Sequence, residues 1–169
     1  MGRKYLLSAA LAGLALGLSG CLVLVESPAV SNFRFDSNWQ RRDTGAYVFC
    51  SNRETLMRYR FRAPDSSLIQ RIEERYEGFA SGKDYTEDRP LGQLSREGSD
   101  LVFVGRLTFG QGGIPQGQPG ELGPQSIVVT PINPPPSSTG QTRVTVRVTT
   151  NSGRSYPGSY AYEVYSNCP

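Results

Sequence analysis

Between Thr55 and Arg62 the chain alternates without a break, with Met57, Tyr59 and Phe61 on one parity and Arg58, Arg60 and Arg62 on the other. Successive side chains of an extended strand point to opposite faces, so this segment has a core side and a water side only if it is a strand. A helix would scatter the same residues around its circumference. The pattern returns in Thr142-Arg-Val-Thr-Val-Arg-Val-Thr149, and apolar runs at Tyr47–Cys50, Leu101–Phe109 and Ser126–Thr130 add strand cores. Val30–Phe35 and Tyr156–Tyr165 complete the set, and polar Lys83–Arg89 reads as an edge strand or a loop. Turn residues separate them at Asn52-Arg53, Ala63-Pro64-Asp65 and Asn151-Ser152-Gly153, the last suited to a hairpin.

Composition supports the same fold class. Hydrophobic residues make up 37% and charged residues 20%, both low for a globular protein, while Gly (19) and Pro (12) run high. Two stretches, Gly110–Gln125 and Pro131–Gly140, are too rich in Gly, Pro and polar residues to pack a core. Seven or eight short strands between such turns predict a mainly β, antiparallel sandwich with long Gly/Pro loops, of immunoglobulin-like or fibronectin-like kind. The Cys, Trp, Cys order of antibody domains is absent, because Trp39 precedes Cys50 and Cys168. One segment stays open. Over 67–78, Leu68, Ile69, Ile72 and Tyr76 fit a helical face with Asp65 or Ser66 as cap, yet Leu68, Ile72 and Tyr76 also share one strand face that Gln70 and Glu74 interrupt.

The amino terminus carries an address. Arg3 and Lys4 precede Tyr5–Leu18, an uncharged apolar run of the length of a secretory leader. It ends in Leu18-Ser19-Gly20-Cys21, which closely resembles the lipobox of bacterial lipoproteins. That resemblance covers only residues 1–21. It implies a signal peptide over 1–20, diacylglyceryl attachment at Cys21 and cleavage before it; the strand pattern then leaves a short tether over 21–28 and a sandwich domain over 29–169. It further implies a membrane-lipid partner through Cys21 and a location in the cell envelope, at the outer membrane if the host has two membranes. The competing reading is an uncleaved anchor, since Tyr5–Val25 is about long enough to span a bilayer. If Cys21 carries lipid, Cys50 and Cys168 remain in an oxidising compartment, and a disulfide between them would close nearly the whole domain.

Much chemistry is excluded. The chain has no His, which removes Ser-His-Asp and Cys-His nucleophiles and the commonest zinc sites. No phosphate-binding glycine loop or EF-hand is present, so no cofactor or metal is expected. Of 18 Lys and Arg, Arg3 and Lys4 fall in the leader, leaving 16 against 15 acids and no general pull toward nucleic acid. Glu73, Glu74, Glu77, Asp84, Glu87 and Asp88 cluster, but in arginine-rich sequence that reads as solvated and ion-paired; an envelope-polysaccharide enzyme built on them is the alternative. No catalytic residue is assigned. Arg58, Arg60 and Arg62, with Arg143 and Arg147 on a second strand, would form a basic stripe for an anionic ligand if those strands adjoin. Tyr156, Tyr160, Tyr162 and Tyr165 crowd the last strand and suit either core packing or contact with glycan or protein. The resulting expectation is a non-enzymatic envelope protein that binds or scaffolds an envelope protein or an anionic glycan.

Overall fold

The computed structural model describes residues 28–79, 82–109, 120–122, 127–133 and 138–169. The leader, Cys21, the Leu22–Val25 stub and most of the two Gly/Pro loops lie outside the described residues. In chain order the strands are β1 (Ser31–Ser37), β2 (Trp39–Arg41), β3 (Tyr47–Cys50), β4 (Thr55–Arg62), β5 (Ile69–Gly78), β6 (Lys83–Asp88), β7 (Ser95–Glu97), β8 (Asp100–Leu107), β9 (Gly120–Glu121), β10 (Thr130–Ile132), β11 (Gly140–Thr150) and β12 (Ser155–Tyr165). They form two sheets. One runs β1-β4-β8-β7 with β9 beside β8, and the other runs β10-β2-β3-β12-β11-β5-β6. The protein is mainly β, as the alternation requires.

Pairing is antiparallel except at β3–β12 and β2–β10, which are parallel. The expected strand at Ser126–Thr130 is displaced; β10 begins at Thr130, and Val128 is largely exposed. The two sheets enclose one core. Phe35, Met57, Tyr59, Phe61 and Phe103 from the first sheet meet Ile72, Tyr76, Val144, Val146, Val148 and Tyr162 from the second. Phe49 of β3 stacks on Tyr162 at 3.8 Å between centroids. Burying one such side chain stabilises by about 1.5–3 kcal/mol, and the aromatic pairs add geometric preference. A second, smaller cluster of Val48, Cys50, Ile132, Tyr165 and Cys168, with Trp39 against it, lies where β2, β3 and β10 extend the second sheet. Cys50 and Cys168 are joined by a disulfide across 118 residues.

The short helix entertained for 67–78 is not formed. Ser66–Leu68 is a single 3-10 turn capped by Asp65, and Ile69–Gly78 is a ten-residue strand. The local 3.6-residue pattern loses because β5 has a partner on both edges, β11 from Thr142↔Gly78 to Thr150↔Ile69 and β6 from Glu73↔Asp88 to Gly78↔Lys83. As a strand its inward set is Ile72, Glu74, Tyr76 and Gly78, all buried. A carboxylate in that set needs a partner, which the next subsection supplies.

Strand register gives the domain two distinct ends. Ser31 pairs with Arg62, Arg62 with Asp100, and Ile69 with Thr150, so the chain enters at residue 28 beside the β4–β5 link and the β11–β12 hairpin. At the other end Thr55 pairs with Leu107, Gly78 with Thr142, and Cys50 with Tyr165 next to the disulfide. At about 3.3 Å per residue, the eleven residues of β12 separate the two ends by roughly 36 Å.

Candidate functional site

The arginines singled out in the sequence occupy two opposite surfaces. Arg58, Arg60 and Arg62 lie on the outer face of β4 in the first sheet, and Arg143 and Arg147 on the outer face of β11 in the second. β4 and β11 do not adjoin, so no single five-arginine stripe exists. The reason is topological: both strands turn their apolar parity toward the shared core, which sends their polar parities in opposite directions.

On the first sheet, Arg58 donates to Asp36 of β1 through Nε at 2.7 Å and pairs with it through Nη2 at 2.6 Å. Arg60 faces Arg34 across the β1–β4 ladder, and its buried Nε has no hydrogen-bond partner. The register sets Arg58 opposite Val104 and Arg60 opposite Val102, and both valines are buried, which fits aliphatic arginine stems lying over them. Much of this arginine row therefore covers apolar sheet surface as well as carrying charge.

On the second sheet, acids and arginines form a cross-strand lattice. Arg71 meets Asp88 at 2.6 Å and Glu73 at 3.2 Å, and Arg75 meets Asp84 at 2.9 Å and Glu77 at 3.2 Å. Arg147 and Arg143 stand opposite Glu73 and Glu77 on the neighbouring strand, and Arg143 also lies 4.7 Å from the Phe79 ring centroid. Such exposed pairs contribute about 0–1 kcal/mol each. The groove beside them, about 270 Å³ between Ile69–Ile72 and Asp88–Leu91, has one carboxylate on its wall, Asp88, and that one is held by Arg71.

Glu74 departs from its acidic neighbours. Expected to be solvated, it is completely buried between the sheets. Arg89, also buried, clamps it with two parallel bonds, Nε to Oε1 and Nη2 to Oε2, each 2.9 Å. The Tyr59 hydroxyl donates to Oε1, and the Tyr76 hydroxyl donates to Oε2 at 2.9 Å. Arg89 continues to Glu87 at 3.3 Å and to Gln93 Oε1 at 2.9 Å, and its guanidinium sits 4.3 Å over the Phe103 ring. Fork-to-fork geometry, two phenolic donors and an aromatic face satisfy the buried charge on every side. Burial, and then the neighbouring Glu74 carboxylate, push both phenols well above the ordinary tyrosine range. Burial opposes the charge on Arg89, and the Glu74 bonds outweigh it, so its proton is held more firmly than usual. With all lone pairs engaged and no solvent access, Glu74 is built to hold two sheets together. The signal that could have found it was parity, since Glu74 lies midway between Ile72 and Tyr76 on the inward side of β5.

The tyrosines of β12 are packing residues. Tyr156, Tyr160 and Tyr162 share the inward parity; Tyr162 is fully buried and donates to the Asp36 carbonyl at 3.1 Å, crossing from one sheet to the other. Tyr165 turns to the smaller cluster and donates to Glu163 at 2.7 Å. The Tyr165 phenol is pushed up to about 12 by burial and then by that carboxylate, while Glu163 is held below the usual carboxylate range by the Tyr165 hydroxyl and Arg41. No exposed tyrosine patch arises from Tyr160, Tyr162 and Tyr165.

Comparison with known proteins gives no family. No family model matches the chain, and no curated protein matches it. Among solved structures, a DUF4466 family protein from Parabacteroides merdae aligns with 78% of this chain and 45% of its own, at 11% identity and a TM-score of 0.25. This chain thus spans less than half of that protein, and a likeness of that depth carries no argument about fold or function.

Proposed function

We propose that the protein is an exported bacterial lipoprotein, held to an envelope membrane by acyl chains on Cys21, whose β-domain binds or scaffolds another envelope component without catalysing a reaction. The observation that carries this reading is Leu18-Ser19-Gly20-Cys21 at the end of a charged and then apolar leader. The Cys50–Cys168 disulfide supports it, because such bonds persist in oxidising compartments and are rare in the cytosol. The alternative enzyme would use the acids of 73–88. Glu73, Glu77, Asp84 and Asp88 are each tied to an arginine, and Glu74 is sealed in the core, which favours the binding reading.

The finer fold assignment belongs to the same proposal. In the order β1-β4-β8-β7 and β12-β11-β5-β6, the strands follow the A-B-E-D and G-F-C-C′ arrangement of an immunoglobulin-like sandwich. β3 then adds in parallel to the outer edge of β12, and β2 and β10 extend that sheet. The disulfide lies elsewhere than between strands B and F of that scheme; the sheets are tied instead by the Tyr59 hydroxyl on Glu74 and by the Arg89 guanidinium over Phe103.

Expression with radiolabelled palmitate tests the anchor. Label is expected on the native chain and absent from Cys21→Ser; label surviving in that variant refutes the lipobox reading. The two arginine faces are tested separately, as Arg60→Glu with Arg62→Glu and as Arg143→Glu with Arg147→Glu. A salt-sensitive loss of envelope cross-linking partners in one of the two pairs is the expected result; unchanged partners in both sinks the anionic-ligand reading.

A further inference from the structure

β1 does not track β4 residue for residue. Ser31 pairs with Arg62 and Arg34 with Arg60, so β1 advances three residues where β4 advances two. Asn32 takes up the difference at φ 54°, the one positive φ outside glycine among the described residues. An extra residue of this kind reverses the faces of those that follow it. In plain register Phe33 would stand opposite Arg60 on the outer face. With the bulge Phe33 turns into the core, its ring 5.4 Å from that of Phe61, and Arg34 takes the outer place opposite Arg60. Burial of Phe33 explains the bulge but leaves the choice of residue 34 open. A neutral polar side chain would fill that place without repulsion, whereas like charges directly opposite each other on a sheet are destabilising.

No acid of the fold neutralises this pair. Among the described residues, the Arg34, Arg60 and Arg62 side chains have no ion pair and no hydrogen bond, and the buried Nε of Arg60 donates to nothing. The acids near this face lie elsewhere. Asp36 is held by Arg58 at 2.6 Å, and Glu54 lies 3.1 Å from Arg106 at the far end of β4. Asp100 stands opposite Arg62, with Glu97 beyond it on β7. A carboxylate occupies a single guanidinium, as Asp36 does with Nε and Nη2 of Arg58. A phosphate monoester carries about −1.5 to −2 at neutral pH and offers three acceptor oxygens, enough for forks from two guanidiniums at once. Side chains directly opposite in a ladder start from Cβ atoms about 4.5–5.5 Å apart, so Arg34 and Arg60 both reach one such group without backbone movement. We infer that Arg34 and Arg60, flanked by Arg62, bind the phosphate group of a phosphate monoester on the outer face of the first sheet. The inference narrows the reading of this arginine face as an anion site, and rests on it. A lipid headgroup and free phosphate share the chemistry.

The full chain, purified in nonionic detergent, is titrated calorimetrically at constant ionic strength with two probes, inorganic phosphate and water-soluble dihexanoyl phosphatidic acid. Saturable binding is expected, weakened about tenfold by Arg60→Gln and by Arg34→Gln, since each removes one charged fork. Arg147→Gln, on the outer face of the opposite sheet, is the control and should bind as the native chain does. Acetate, which has one carboxylate edge, should not compete. Tighter binding of phosphatidic acid assigns the site to a lipid headgroup; equal or tighter binding of inorganic phosphate assigns it to the free anion. Melting in phosphate-free buffer certifies the variants, because removing one of two facing like charges should leave Tm unchanged or raised. Added phosphate should then raise the Tm of the native chain but not that of Arg60→Gln.

Failure of both probes to bind overturns the inference. So does unchanged affinity in either Arg34→Gln or Arg60→Gln, which would place the phosphate elsewhere on the molecule. Acetate competing as well as phosphate also overturns it, because the face would then take any anion. The broader reading is judged by a different measurement. Partners lost from Arg60→Glu with Arg62→Glu, while neither probe binds, would strike phosphate alone and leave an anionic ligand of another kind. Phosphate binding that Arg60→Gln abolishes, with cross-linked partners unchanged, would strike the envelope-partner reading and keep the site.

Discussion

Replacing Glu74 by Gln keeps the shape of the side chain and removes its charge, so the substitution isolates the buried clamp between the sheets. Glu74 is fully buried, and the Arg89 side chain is 2% exposed. Removing one partner of such a pair costs about 3–5 kcal/mol, because the remaining charge stays in the interior. Arg89 keeps Glu87 at 3.3 Å and Gln93 at 2.9 Å, which places the expected loss near the lower end, about 3 kcal/mol. The amide also offers donors where the Tyr59 and Tyr76 hydroxyls need acceptors. For a domain of this size the loss corresponds to a fall in Tm of about 10 °C. Urea unfolding followed by Trp39 fluorescence, with the disulfide intact, measures it, and an unchanged m-value certifies the comparison. Glu77→Gln, which removes one side of a half-exposed pair with Arg75, is the control and should cost no more than about 1 kcal/mol. The double replacement Glu74→Leu with Arg89→Met should cost less than either single change, because the two fully buried charges leave together and Glu87 keeps the Tyr85 hydroxyl at 3.2 Å. Equal losses for Glu74→Gln and Glu77→Gln would refute the assignment of Glu74, with Arg89 beside it and Tyr59 across from it, as a tie within the core.

Three further expectations concern the same framework. Tyr59, Tyr76 and Tyr162 have folded-state pKa values raised well above 10, so above that pH the unfolded chain releases protons that the folded protein retains, and stability falls as pH rises; three such groups give a slope of about 4 kcal/mol per pH unit, and phenolate absorbance should show them ionising only on unfolding. Early ionisation of all tyrosines without unfolding would contradict it. Reduction of Cys50–Cys168, which closes a span of 118 residues, should lower stability by about 5 kcal/mol through released chain entropy, seen as a lower urea midpoint in reductant; an unchanged midpoint would count against it. At Gly158 an added Cβ would lie 2.2 Å from Phe33 Cγ, so Gly158→Ala should cost about 1–3 kcal/mol, and combining it with Phe33→Ala should cost less than the two changes added.

What the sequence determined by itself was set by local periodicity and by residue chemistry. Alternation at Thr55–Arg62 and Thr142–Thr149 is a property of neighbouring residues, so both strands and their apolar faces were legible without a partner. The pairing of Cys50 with Cys168 was legible too, once Cys21 was assigned to lipid, because two thiols admit one bond. The resemblance to a lipobox needs no fold to be read, because it lies in four consecutive residues, Leu18-Ser19-Gly20-Cys21.

Tertiary structure decided whatever depends on which strand lies beside which. Ile69–Gly78 is balanced between helix and strand in its own residues, and pairing with β11 and β6 on both edges tips it. The five arginines share a pattern but not a surface, because their strands belong to opposite sheets whose inner faces meet. Glu74 was read as solvated with the other acids of 73–88, and it is buried. Its burial follows from Arg89, fifteen residues on, which the return of β6 brings back alongside Ile72, so that its backbone amide donates to the Ile72 carbonyl at 2.8 Å and its guanidinium points inward at Glu74. Whether a charge is buried depends on the partner that neutralises it, and only the folded chain brings that partner within reach.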